Sequence, residues 1–266
     1  MLIENLDDIE ILRFENLSGY SQITQFISTR KGGVSKPPFD TLNISFKEED
    51  FTAVLENHKR LAHAVNVPID NFVFCRQIHS GNVVVVTGQQ RGAGVYERST
   101  AILDADAMIT NEANLCLSVL AADCVPILLY DPVKNAVGAV HSGRKGTVVK
   151  ILTNTVELMK KEFGTNPLDL VVGIGPSIGP ESYEVDTPVI EAFATAFPGN
   201  NFIQMKDKTH GMLNLWEANK FLLLTAGVQD HNIEIAGIDT YTNTDRFFSE
   251  RKDGLTGRFV AGIMLH

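Results

Sequence analysis

The chain has 266 residues, 44% of them apolar and 21% charged, enough to bury a full core without disulfide staples and too apolar for a disordered protein. Its net charge of −9 argues against nucleic acid or an anionic membrane as the main partner, because both need a basic footprint. The opening Met1-Leu2-Ile3-Glu4-Asn5-Leu6-Asp7-Asp8 carries acid where a secretory leader carries Lys or Arg, and no apolar run approaches 18 residues, so a cytoplasmic location is expected.

Alternating patches at 9–14 and 22–28 predict strands, and Arg30-Lys31-Gly32-Gly33-Val34-Ser35 a loop after them. Over 50–65, Val54, Leu55, Leu61, Ala62 and Val65 share one helical face, and Asn66 with Pro68 ends the run. Residues 72–74 and 83–86 read as strands either side of a Ser80-Gly81-Asn82 turn, with His79 at its start. The short apolar stretches 107–110, 115–121, 125–130 and 136–140 read as a central sheet. A helix follows through Val148, Leu152, Val156, Met159 and Phe163, with Gly164 as its left-handed cap. A strand at 170–174 enters a glycine-rich loop ending at Gly179, which Pro176 disqualifies as a dinucleotide fingerprint. Helices at 188–197 and 215–226 and strands at 233–238 and 258–265 complete the reading. Strands in batches with few helices between them predict an α+β fold, a single domain over residues 1–266 with mixed β-sheets flanked by helices.

The most informative stretch runs from Ala122 to His141. Asp131-Pro132-Val133-Lys134-Asn135 has the composition of a turn, so the flanking strands form a hairpin with a functional side chain at each end. Pairing about position 133 sets residue i against roughly 265 − i and puts Cys124 opposite His141. Cβ atoms about 5 Å apart would let a thiolate and an imidazole share one metal or exchange one proton. A slip of one residue would spoil the pairing. His79 is the third donor. Zinc held by one Cys and two His keeps a fourth position for water, whose pKa falls to about 7 at such open sites. On spacing alone a blander alternative stands beside this one, with Cys124 a buried strand cysteine and both histidines satisfied by backbone carbonyls, since no compact metal motif is present.

Arg76-Gln77-Ile78-His79-Ser80, Asp104-Ala105-Asp106-Ala107-Met108-Ile109-Thr110, Ala122-Asp123-Cys124-Val125-Pro126, His141-Ser142-Gly143, the Gly173 to Gly179 loop, Phe247-Phe248-Ser249 and Thr256-Gly257-Arg258 follow in an order that resembles the laccase-domain, polyphenol-oxidase-like family. The likeness runs from about Ser28 to the C-terminus and takes in Leu42-Asn43-Ile44-Ser45. Members of that family are regarded as purine nucleoside phosphorylases. The resemblance implies a YfiH-like fold, Zn²⁺ on a catalytic trio of His79, Cys124 and His141, phosphorolysis of adenosine, inosine, guanosine and methylthioadenosine, and deamination of adenosine. Nucleoside and phosphate are expected at Arg30, Asn43, Gln77, Asp106 and Lys145. The chain departs from the family's usual pattern at Ser142 in place of Ala, at Arg144-Lys145 in place of Trp-Arg, and at Tyr241, where many members have cysteine.

Phosphorolysis needs fixed cations for a dianionic nucleophile, and Arg30 is the foremost candidate because the glycines after it permit an anion-binding nest of amides. Asp106 or Asp123 would carry the proton in deamination, and Asp123 is the one expected to steady a metal ligand. Phe247, Phe248 and Trp216 read as core, and Cys75 and Cys116 as inert packing. Two rivals remain: a hydrolase or amidase with Cys124 as nucleophile and His141 as its base, and a metal-stabilised binding module without catalysis. Seven scattered histidines are too few for a multinuclear copper centre of the laccase sort.

Overall fold

The computed structural model describes all 266 residues. The chain opens with β1 (Leu2–Leu6), β2 (Ile9–Arg13), the single turn α1 (Glu15–Ser18) and β3 (Ile23–Ser28). After α2 (Phe51–Ala64) come β4 (Phe72–Phe74), β5 (Val83–Val85), β6 (Ala107–Thr110), β7 (Cys116–Ala121), β8 (Val125–Asp131) and β9 (Ala136–Ser142). Helices α3 (Arg144–Val148) and α4 (Ile151–Phe163) precede β10 (Val171–Ile174), β11 (Glu184–Asp186), α5 (Thr187–Ala196), β12 (Ile203–Met205), β13 (His210–Leu213) and α6 (Leu215–Thr225). Last are β14 (Ile233–Ile235), the turn α7 (Glu250–Asp253) and β15 (Phe259–Leu265).

The fold is α+β with mixed sheets. One six-stranded sheet has the order β1-β2-β3-β15-β7-β4, a second β14-β10-β8-β9-β6-β5, and β11-β13-β12 form a small third. In β15, Phe259, Ala261, Ile263 and Leu265 face one cluster together with Leu128, Tyr130, Val137 and Ala139 of the second sheet, whereas Val260 and Met264 face Leu61 and Val65 at α2. The remaining face of the second sheet packs Ile127, Leu129 and Val140 on Leu152, Val156 and Met159 of α4 and Leu222 of α6. The layers therefore run helix, sheet, sheet, helix, and the strands between are apolar on both faces because both are covered.

Three expectations need correction. The 107–140 strands do not make one central sheet: β7 lies in the first sheet and β6, β8 and β9 in the second. The helix expected from Val148 onward is two helices, since Lys150 adopts a left-handed φ of 59° between them. The hairpin register is displaced by two residues, with Pro126 opposite His141 and Val125 opposite Ser142. Asp131 causes the shift: its Oδ1 accepts from the amides of Val133 and Lys134, centring the turn later than composition suggested. A displacement of two preserves the face, so Cys124, just before β8, still emerges on the side where His141 lies.

Candidate metal centre

Two crossings between the large sheets occur at one end of the molecule. Residues 75–82 carry the chain from β4 to β5, and Ala122-Asp123-Cys124 carry it from β7 to β8. The first crossing brings His79 and the second Cys124 to the end of β9, where His141 sits with 4% exposure. The donor atoms of the three residues lie within 4.8 Å of one another, with Cys124 Sγ 3.8 Å from His79 Nε2. Tetrahedral zinc with ordinary bond lengths would hold S and N about 3.5 Å apart, so one thiolate and two imidazoles at this spacing fit a single borderline-soft divalent ion.

Asp106 sets the geometry. Its carboxylate is wholly buried, and Oδ1 accepts from His141 Nδ1 at 2.9 Å and from the His79 amide at 2.9 Å. Oδ2 accepts from the amides of Ile78 and Ser80 and from Ser80 Oγ. One side chain thus turns His141 Nε2 toward the thiol and holds the His79 loop, where His79 has a φ of 62°. Burial works against every charge here, yet the outcome is an ion-pair network. Against burial, the contacts with His141 and Ser80 bring Asp106 down to about 2. His141 and His79 outweigh burial to bring the Cys124 thiol down to about 6. Burial also opposes the charge on His141, but Cys124 and Asp106 push it up to about 9. Gly143 closes the site from behind, because a Cβ there would lie 2.7 Å from Cys124 Sγ.

His79 and Cys124 line both of two adjoining cavities, and His141 lines the first. The first, about 300 Å³, is walled by Phe46, Phe74, Leu120, Arg76, Arg98 and Arg258. The second, about 510 Å³, is lined by Arg144, Lys145, Arg251 and Tyr183. The motifs of the sequence pointed to Arg76, Arg144 and Lys145 as cations beside the site; they did not point to Phe46, Arg98, Tyr183 or Arg251, which come from loops and short elements whose approach is a tertiary fact.

Several expected substrate residues are engaged elsewhere. Arg30 donates from Nε to the Asp40 carbonyl and from Nη1 to the Thr244 carbonyl, stacks over Phe248, and lines neither cavity. Asn43 is fully buried, with Oδ1 accepting from the amides of Ser45 and Arg258. Gln77 does line the first cavity, but its amide exchanges two hydrogen bonds with the backbone of Leu120 and so extends the ladder of β7. Asp106 has no oxygen left for substrate. Asp123, expected to steady a metal ligand, instead takes Thr240 Oγ1 and the Arg251 amide, fixing α7 beside the crossing. Ser142 donates to Asn219 Oδ1 at 2.6 Å, a buried polar tie from β9 to α6.

The profile of the multi-copper polyphenol oxidoreductase laccase family matches residues 24–266. The chain belongs to that family. Among its relatives, a purine nucleoside phosphorylase of Bacteroides thetaiotaomicron is 36% identical over all of both chains. The purine nucleoside phosphorylase YlmD of Bacillus subtilis is 37% identical, covering 89% of this chain and 86% of its own. The crystal structure of YlmD from Geobacillus stearothermophilus superposes with a TM-score of 0.94 at 32% identity, over 99% of this chain and 98% of that one. The laccase name implies several copper ions, whereas His79, Cys124 and His141 form the chain's one compact cluster of metal-donor side chains. No helix is long and apolar enough to cross a membrane.

Proposed function

We propose that this chain is a zinc-dependent purine nucleoside phosphorylase acting on adenosine, inosine, guanosine and methylthioadenosine, with adenosine deamination as a second activity. The observation that carries the reading is a His-Cys-His donor set where two cation-lined cavities meet, the first with Phe46 and Phe74 in its wall, in a chain whose relatives bear the phosphorylase name. Bound to His79, Cys124 and His141, zinc would supply Lewis acidity and a water acidified toward neutrality.

The chain's own residues divide the remaining work. Phe46 and Phe74, in the wall of the first cavity, give the purine apolar contact, and Arg144, Lys145 and Arg251 in the second neutralise phosphate. A phosphate oxygen forms the bond to C1′ while the bond from C1′ to the purine nitrogen breaks, its electron pair leaving with the base, which takes up a proton. Asp106 keeps His141 in the tautomer that presents Nε2, and does so without touching substrate.

The test is phosphate dependence. Purified protein should release hypoxanthine from inosine only when phosphate is present, with one zinc per chain, and Cys124→Ala should lose both metal and activity. A second reading has its own support in the depressed Cys124 thiol next to His141, the pairing a cysteine hydrolase uses. Trapping of an acyl group on Cys124 in protein that turns over without metal would establish that reading and remove the first.

A further inference from the structure

Four residues line both cavities: His79, Ala122, Cys124 and Glu250. Two are metal donors and one is an alanine, which leaves Glu250 as the only other group at the boundary with chemistry of its own. It is also the only acidic residue of the first cavity; in the second, Asp123 is the other acid, and both its oxygens are taken.

Glu250 is held in place from two sides. Arg258 donates from Nη1 to the Thr256 and Gly257 carbonyls, both at 2.9 Å, and from Nη2 to Glu250 Oε2. The next residue, Arg251, gives its amide to Asp123 Oδ2 at 2.7 Å, so the first turn of α7 is tied to the residue before Cys124. The carboxylate is thus pinned relative to the trio while its side chain stays 60% exposed to solvent, and only Oε2 is engaged within the chain.

A nucleoside with its base beside Phe46 and Phe74 in the first cavity, and its reacting carbon facing phosphate in the second, must lay its ribose across the shared boundary. A carboxylate is an acceptor with two oxygens, the group that suits the donors of a vicinal diol. Resting on the phosphorylase reading, we propose that Glu250 is a specificity-determining residue that accepts the 2′- and 3′-hydroxyls of the ribose and selects ribonucleosides over deoxyribonucleosides.

The experiment compares inosine, 2′-deoxyinosine and 2′,3′-dideoxyinosine in the zinc-loaded wild type and in Glu250→Gln and Glu250→Ala. A deoxyribosyl bond breaks more readily, so dissociation constants without phosphate are measured beside kcat/KM. The wild type should bind inosine about 10- to 100-fold more tightly than the 2′-deoxy compound, as expected when a charged acceptor loses its donor. Glu250→Ala should bring that ratio within about 3-fold, by weakening inosine rather than strengthening its analogues, with Glu250→Gln between. If Glu250 only clamps Arg258, all three nucleosides weaken together and the ratio survives, which overturns the proposal; so does a wild type that binds the three alike. Absence of phosphorolysis from every wild-type assay would sink the phosphorylase reading instead, and the binding ratio would still decide the role of Glu250.

Discussion

Asp106 is the residue on which both imidazoles depend, and its contacts separate two kinds of damage. Asp106→Asn keeps one acceptor oxygen but loses the charge that stabilises the network around His141 and Cys124. It is expected to fold and to bind zinc about 10- to 100-fold more weakly, measured by competition with a chromophoric chelator. Asp106→Ala leaves three part-buried amides without their acceptor and should destabilise the chain by about 1–3 kcal/mol as well. The trio itself was legible from the hairpin and the family motifs; the helper was not, because nothing in the composition of Asp104-Ala105-Asp106 shows that a carboxylate will receive three successive amides from a loop 27 residues away. For the same reason Arg30 and Asn43 looked like ligand residues beside their motifs, although backbone carbonyls and amides claim them. His58 gives a second test. Burial holds its imidazole below the ordinary value, against the pull of the Ile44 carbonyl, and it packs between Phe46 and Phe74. A folded pKa below the unfolded one contributes stability that is complete above about 6.5 and drains away as pH falls through the folded value. Urea midpoints between pH 7 and 5 should therefore fall more steeply for the wild type than for His58→Phe; parallel slopes would show that protonation of His58 has no bearing on acid sensitivity.

At the scale of elements, the link from β9 to α3 is where packing and chemistry share the same atoms. Gly143 has ordinary backbone angles, so its requirement is one of space: an added methyl would meet Cys124 Sγ at 2.7 Å and the His79 ring at 3.3 Å. Gly143→Ala should leave the β8–β9 hairpin formed, reduce zinc affinity by at least about 10-fold, and lower activity in step. Circular dichroism with metal titration checks this, and unchanged zinc affinity would mean that the thiol has room to retreat. Periodicity located α2, α4, α6 and the strands of this region to within a few residues, because their apolar spacing is a local property. It did not see the break at Lys150, since one left-handed residue leaves the apolar stripe intact, nor the small sheet of β11, β12 and β13, two of whose strands are only three residues long.

At the scale of the whole molecule, the division into two sheets could not be read from strands apolar on both faces, because such a run names no partner. That division matters to the metal. Cys124 follows the last strand residues of the first sheet, His141 belongs to the second, and His79 lies on a crossing between them, so an ion bound to all three ties the two sheets together at one end. Since the unfolded chain does not hold three donors in this geometry, binding free energy adds to folding free energy by mass action. Free zinc at about a thousand times its dissociation constant contributes about 4 kcal/mol, or roughly a 10 °C rise in the thermal midpoint for a chain of this size. The wild type should show that rise between chelator-treated and zinc-loaded samples, and Cys124→Ala should melt at one temperature in both. A wild type that binds zinc stoichiometrically with no change in its midpoint would mean that the donors stay assembled after the sheets have parted, placing the metal on a local loop structure rather than on the seam between them.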